Sequence, residues 1–230
     1  MLFELFHIDN FTDEMEQLRR SSFRVAWPNG NSRDLFDSKS SFFIAVSNGE
    51  LMASLRSTPS KTGIGESLGC QLPEGDRDTT VFGSRLCAKR GQYVVACLLV
   101  VESLLWGKVH NVTDVCATTE IDNPFLPFYE AIGFKRFGRT QLVHSYPGEP
   151  GIAQVMVCNI QENLPVLTAA KLFFSQKRGI SVHSAIDQPS LSLNPDIKWR
   201  DAFKRRLLQF RREQKASTWL SRANIPQRQG

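Results

Sequence analysis

The spacing of apolar and polar positions changes period several times along the chain, and each change marks an element. Leu2 to Ile8 is a short apolar run that reads as a first strand. Thr12-Asp13-Glu14 then offers a cap and an acidic first turn. Phe11, Met15 and Leu18 recur at helical spacing and Arg19-Arg20 suits a last turn, which predicts a helix to about Ser22. Trp27-Pro28-Asn29-Gly30-Asn31 is turn-rich loop. Phe42–Val46 and Leu51–Arg56 are strands, and the Asn48-Gly49 between them is a strong hairpin signal. Lys61–Thr79 holds four glycines, a proline and several charges, and reads as a mobile loop. Beyond it the pattern predicts a strand over Thr80–Ala88, a buried helix over Gln92–Gly107 and a strand over Val112–Thr118. A helix over Asn123–Ile132 stops at Gly133; strands over Phe134–His144 and Ile152–Asn159 and a helix over Leu164–Gln176 follow. Past Ser181 the pattern weakens. It returns at Asn194-Pro195-Asp196, a cap followed by proline at the first helical position. From there Trp199, Phe203, Leu207 and Phe210 lie on one face, opposite Lys204, Arg205, Arg211 and Arg212.

Helices and strands mix in an α/β or α+β manner, with an antiparallel hairpin leading into a strand–helix–strand unit. A chain of 230 residues suits one domain with an appendage, drawn here as a body over 1–180 and an extension over 181–230 with a basic amphipathic helix. A 41% hydrophobic content excludes a disordered chain and supports a buried core. The formal charge of +5 is unevenly placed. From Asp196 to Gly230 there are ten Lys or Arg against three Asp or Glu, a net of +7, which leaves residues 1–195 at −2. A near-neutral body argues against nucleic acid as a partner, and the basic segment suits an acidic protein surface.

The most apolar window, Tyr93–Trp106, spans 14 residues and contains Glu102, too short for a membrane span. The N-terminus shows no secretion signal and the five cysteines form no C-x-x-C pair, so reduced thiols in a cytoplasm are expected. His7, His110, His144 and His183 have no metal-ligand spacing, and neither a P-loop nor a G-x-S-x-G elbow occurs. No metal and no permanently bound cofactor is expected.

The segment Asn123-Pro124-Phe125-Leu126-Pro127-Phe128-Tyr129-Glu130-Ala131-Ile132-Gly133-Phe134 lies between two predicted strands. It resembles the N…FYE..GF stretch of the GNAT acyltransferase superfamily. The resemblance implies a mixed twisted sheet flanked by helices and splayed between its fourth and fifth strands, here Thr80–Ala88 and Val112–Thr118. Splayed strands expose backbone donors and acceptors that the amides of an acyl-pantetheine arm can satisfy. On this resemblance Phe82, Cys87, Arg90, Thr118 and Tyr129 are expected along that arm. The turn after the fourth strand, Ala88-Lys89-Arg90-Gly91-Gln92-Tyr93, has one glycine only where a glycine-rich phosphate loop is usual. That departure leaves room for a carrier-protein donor.

A second ordered set runs Arg19-x-x-x-Phe23, Trp27, Asp34-Leu35-Phe36-Asp37, Arg56, Ser84-Arg85. It resembles the N-acyl-homoserine lactone (autoinducer) synthases, and the related N-acyl amino acid synthases share part of it. The resemblance implies acyl transfer from acyl carrier protein or acyl-CoA to S-adenosylmethionine, then lactonisation to a quorum-sensing signal. Arg19, Phe23, Trp27, Asp34, Asp37 and Arg56 would bind the acceptor, and Ser84 and Arg85 would lie at the reacting centre. Carboxylates suit a sulfonium and an ammonium, aromatics suit adenine or cation–π contact, and arginines hold a carboxylate or brace the acids. The family usually carries Glu two residues before Ser-Arg; Phe82 stands there, so Glu120 is the substitute expected as base. The Phe23–Trp27 and Trp27–Asp34 spacings are also shorter than the family's. The alternatives are acylation of a free amino acid or another amine, and a fold that binds a partner without catalysis. The basic extension has three readings: a helix packed on the body, a dock for an acidic acyl carrier protein, or a contact with anionic membrane or nucleic acid, the last disfavoured by the near-neutral body.

Overall fold

The computed structural model describes residues 2–23, 32–121, 123, 125–143, 151–176, 179–186 and 205. The chain runs β1 (Leu2–Ile8), α1 (Asp13–Ser22), β2 (Ser41–Ser47), β3 (Glu50–Pro59), α2 (Ile64–Ser67), β4 (Thr80–Ala88), α3 (Tyr93–Val109), β5 (Asp114–Glu120), α4 (Leu126–Ala131), β6 (Lys135–Val143), β7 (Gly151–Asn159), α5 (Ile160–Ser175) and β8 (Ser181–Ser184). One eight-stranded sheet has the order β6-β7-β5-β4-β3-β2-β1-β8. Its β4–β5 and β1–β8 pairs are parallel and the remaining pairs antiparallel.

Local chemistry explains the elements. Thr12 caps α1 by accepting from the Met15 N–H, and Asp13, Glu14 and Glu16 sit where the helix dipole favours anions. The hairpin between β2 and β3 turns through Asn48 (φ 52) and Gly49 (φ 75), the paired positive dihedrals that match strand twist. Val81 and Val115 pack on one face of the sheet and Phe82 and Cys116 on the other, as strand alternation requires. The first face carries the main core, closed by α3, α4 and α5. Helix α3 is apolar nearly all round because it is held between the sheet and α5. The second face carries α1, the 34–40 turn and a smaller cluster of Phe36, Ile64, Cys70, Phe82, Cys116, Val143, Ala153 and Val155.

Four differences from the sequence expectation have physical reasons. Helix α5 begins at Ile160 rather than Leu164, since the Asn159 side chain accepts from the Glu162 N–H and caps the helix there. Strand β5 starts at Asp114, two residues later than the apolar pattern suggested, because Thr113 is still turning, its N–H bonded to the Thr79 carbonyl. The 61–79 segment is entered through a 3-10 turn at Ser60–Thr62 and contains the short α2. Strand β8, polar in sequence, pairs in parallel with β1 and carries the sheet past residue 180. The Asn194 cap and its amphipathic segment lie outside the described residues.

Candidate active site

Strands β4 and β5 pair from Thr80–Asp114 to Gly83–Ala117 and then part. On its other side β4 carries one extra residue: Ser54 pairs with Cys87 and Arg56 with Ser84, so Leu55 faces both Arg85 and Leu86. This is a β-bulge, and its first residue, Arg85, takes the left-handed conformation at φ 55. The bulge bends β4 away from β5 and leaves its end without a strand partner on that side. A cavity of about 340 Å3 fills the opening. Ser84, Arg85 and Leu86 of β4, Thr118 of β5, Tyr129 of α4 and Phe23 after α1 are among its walls. Its floor is apolar, with Leu55, Val100, Leu104, Val115 and Phe134.

Against one end of this cavity lies a buried charged centre. Asp34 and Asp37 fold their own turn: the Asp34 side chain accepts from the Phe36 N–H at 2.9 Å and the Asp37 side chain from the Asp34 N–H at 2.9 Å. The three-residue spacing makes that reciprocal capping possible and aims both carboxylates at the sheet. Arg19 of α1 binds Asp37 bidentately, at 2.8 and 2.9 Å, and donates to the Ser32 carbonyl at 2.8 Å. Arg56 of β3 reaches Asp34 at 2.6 Å, Asp37 at 2.9 Å and the Ser84 hydroxyl at 3.0 Å. Arg85 meets Asp34 at 3.2 Å. Arg19, Arg56 and Asp37 are buried, while the Asp34 side chain keeps 26% of its surface exposed. Burial raises the Asp37 carboxyl, but the hydrogen bonds and charge of Arg19 and the charge of Arg56 outweigh it and hold the group below its ordinary value. Burial, together with the adjacent Arg56 charge, lowers the Arg85 guanidinium.

No family model matches the chain, and no curated protein matches it. Solved structures do match. The CoA-dependent acyl-homoserine lactone synthase BjaI, solved with S-adenosylmethionine and isopentyl-CoA, covers 90% of this chain and 98% of its own at 17% identity, TM-score 0.57. The synthase LasI covers 72% and 92% at 12% identity, TM-score 0.52. A probable acetyltransferase from Staphylococcus epidermidis covers 68% and 98% at 13% identity, TM-score 0.50. The fold is the GNAT acyltransferase fold. The splay between the fourth and fifth strands of that fold is present here, in the strands where the sequence placed it.

Within this GNAT fold the expected site residues separate into two groups. Arg19, Asp34, Asp37, Arg56, Ser84 and Arg85 meet in one centre, and Phe23, Thr118 and Tyr129 line the adjoining cavity. Four others stand elsewhere. Phe82 is buried in the second-face cluster rather than on the cavity wall, because strand alternation turns it toward Phe36 and Cys116. Cys87 is also buried and off the wall, and burial pushes its thiol up to about 12. Arg90 is exposed on the turn after β4, and Glu120 is exposed at the end of β5, neither of them a wall residue. Trp27 lies outside the described residues. Sequence reasoning missed Ser32, whose carbonyl holds Arg19, and the wall residues Lys89, Tyr93 and Asn123. Lys89 and Tyr93 sit in the turn already singled out for phosphates; a carbonyl acceptor such as Ser32 leaves no sequence signal. Among the described residues no cluster of metal-binding side chains occurs, and no helix is long and apolar enough to cross a membrane.

Proposed function

We propose that this protein is an N-acyltransferase that moves an acyl group from a thioester to the amine of an amino-acid-type acceptor, the class that includes S-adenosylmethionine. The observation that carries the reading is the adjacency of an anion–cation centre and an apolar cavity, joined at Arg85 on the bulge of β4. The acyl chain enters the apolar floor. Backbone groups left by the splay take the amides of the donor arm and stabilise the oxyanion of the tetrahedral intermediate. The acceptor amine, held on the Asp34 side of the centre, attacks the thioester carbonyl. The N–C bond forms, the C–S bond breaks, and the amine proton ends on the departing thiol.

The acceptor implied by the motif order is S-adenosylmethionine, with the acylated amino acid then closing to a lactone as methylthioadenosine leaves. Its support is the convergence of the five charged residues and the presence of that molecule in the BjaI structure. The donor is acyl-CoA or an acyl carrier protein, the latter drawn to the +7 segment from Asp196. Five free thiols fit a reducing cytoplasm. The experiment is direct: incubate the full chain with hexanoyl-CoA or hexanoyl-acyl carrier protein and with S-adenosylmethionine or each of the twenty amino acids, then read amide, lactone and methylthioadenosine by mass spectrometry. Amide formation with any acceptor supports transfer; silence with every donor and acceptor overturns it and leaves a binding protein. Removing Asp196–Gly230 should lower turnover with the carrier protein and spare turnover with CoA; equal loss with both refutes the docking role.

A further inference from the structure

A second cavity, of about 390 Å3, lies on the other face of the β4–β5 pair, and no residue lines both. Val115 is a wall of the first and Cys116, the next residue of β5, a wall of the second, because successive side chains of a strand point to opposite faces. The outer wall is the segment over 60–79, and hydrogen bonds hold that segment in shape. The Gln71 N–H donates to the Gln141 side chain at 2.7 Å, the Asp78 N–H to the Asp76 carboxylate at 2.9 Å, and the Thr80 hydroxyl to the Asp76 carbonyl at 2.8 Å. Gly65 lets Leu72 lie directly on α2, where a Cβ would collide with the leucine side chain. The space behind this braced loop has the volume of a small-molecule site.

Three features of the lining give the chemistry of its ligand. Ser60 is a wall residue, 2% exposed, and its hydroxyl has no hydrogen-bond partner among the described residues. A buried hydroxyl left unpaired is costly, so a ligand that brings a partner recovers that cost on binding. Cys70, Cys116 and Leu72 supply apolar, polarizable surface. Burial pushes the two thiols up to about 11 and about 12, so neither carries charge at neutral pH. The charged wall residues are Glu66, Glu74 and Arg77, all exposed. Arg77 is paired with Glu66 at 2.5 Å, and Glu74 has no ion pair among the described residues. Residues 61–79 carry Lys61 and Arg77 against Glu66, Glu74, Asp76 and Asp78, so the rim is negative, attracting a cation and repelling an anion. We propose that this cavity binds a small organic amine, with its ammonium at Glu74, its apolar body against the thiols and Leu72, and a second hydrogen-bonding group on Ser60. The site is separate from the cavity at the splay and does not depend on the acyltransferase reading.

The test titrates tyramine, phenethylamine and para-hydroxyphenylacetate into the isotope-labelled full chain at low salt, read by backbone amide NMR shifts. The probes share one ring and differ only in the hydroxyl or in the sign of the charge. Tyramine should bind with a millimolar Kd or tighter, as about ten non-hydrogen atoms allow. It should shift the amides of Ser60, Cys70 and Cys116 more than those of Arg85 and Thr118. Losing the hydroxyl or reversing the charge should each weaken binding by about 3- to 10-fold. Ser60→Ala should erase the difference between tyramine and phenethylamine without lowering Tm, since the hydroxyl it removes has no partner. Glu74→Gln, on an exposed position, should narrow the difference between tyramine and para-hydroxyphenylacetate. The probe comparison in the native chain stands whether or not the variants fold. Shifts centred on Arg85 and Thr118 put the amine in the other cavity and overturn the proposal. So do equal affinities for the three probes, or no saturable shift from tyramine at about 10 mM. Each of these outcomes leaves the acyltransferase reading where it stands, because no turnover is measured.

Discussion

Asp37 is the carboxylate on which the charged centre depends. It accepts two hydrogen bonds from Arg19, one from Arg56 and one from the Asp34 N–H, and is 5% exposed. Asp37→Asn keeps the shape and one oxygen acceptor but removes the charge, leaving Arg19 and Arg56 buried with Asp34 alone between three guanidiniums. Breaking a buried pair by neutralising one partner costs about 3–5 kcal/mol. For a chain of this size each kcal/mol lowers Tm by about 2–4 °C, so a fall of about 6–20 °C is expected in a thermal scan. Asp13→Asn is the control, since its pair with Arg33 is exposed and should cost no more than about 1 kcal/mol. The same residue sets a pH dependence. Its folded pKa lies below the unfolded value of about 3.9, so its contribution is complete above that value and is lost as pH falls through the folded pKa. Asp37→Asn should therefore lose its deficit relative to the native chain in strong acid. A deficit below about 1 kcal/mol at neutral pH, or one that persists unchanged below the folded pKa, refutes the reasoning.

Other outcomes follow from the same geometry. Gly133 holds φ +105 and an added Cβ would sit 2.1 Å from the Asn163 side chain, so Gly133→Ala should cost about 1–3 kcal/mol in urea unfolding, and Asn163→Ala should relieve only the clash, not the dihedral strain. Glu102 is buried on α3 against Lys171 and burial raises its carboxyl, so its contribution is fully present below the unfolded pKa and fades as pH rises through the folded one; Lys171→Met should destabilise at neutral pH and less in acid, measured by denaturant midpoints. Burial pushes Cys87, Cys116 and Cys158 up to about 12 and Cys70 to about 11, so these thiols should resist an aromatic disulfide reagent at pH 8 in the native chain and react once it is unfolded; rapid native reaction at any of them contradicts the packing. Arg85→Gly should be more stable than Arg85→Ala by about 1 kcal/mol in the same unfolding assay, because alanine retains the left-handed strain at φ 55.

Elements with strong periodicity or local turn chemistry were readable in the sequence: β1, α1, the Asn48-Gly49 hairpin and β4 lie where the pattern put them. Strand β8 was not, because its short run of three polar residues and Val182 pairs with β1 through backbone hydrogen bonds that no side-chain pattern records. The charged centre was readable as an ordered set of residue types, since Asp34 and Asp37 need their spacing to cap each other's turn. The face on which a side chain falls was harder to read. Phe82 and Ser84 share the second face by alternation, yet Ser84 reaches the centre and Phe82 the core, because the 34–40 turn covers one row with carboxylates and the next with Phe36. Glu120 is at the end of β5, where the strand has already left the cavity, and residue type alone carries no such distance.

The bulge joins the two halves of the site. Without the extra residue, strand alternation would put Arg85 on the face opposite Ser84, toward the core beneath α3 and away from Asp34. With it, Arg85 turns through a left-handed dihedral and meets Asp34, while the rest of β4 is bent off β5 and the cavity opens. One backbone irregularity therefore both opens the cavity and delivers a cation to its mouth. A left-handed arginine costs on the order of 1–2 kcal/mol. It persists because the neighbouring Ser84 is held by Arg56 and Arg85 itself by Asp34, so the charged centre stabilises the bulge that completes it. Splay, cavity and charge are then one cooperative arrangement, in which loss of the Asp34–Arg85 contact should loosen the cavity wall as well as the charged centre.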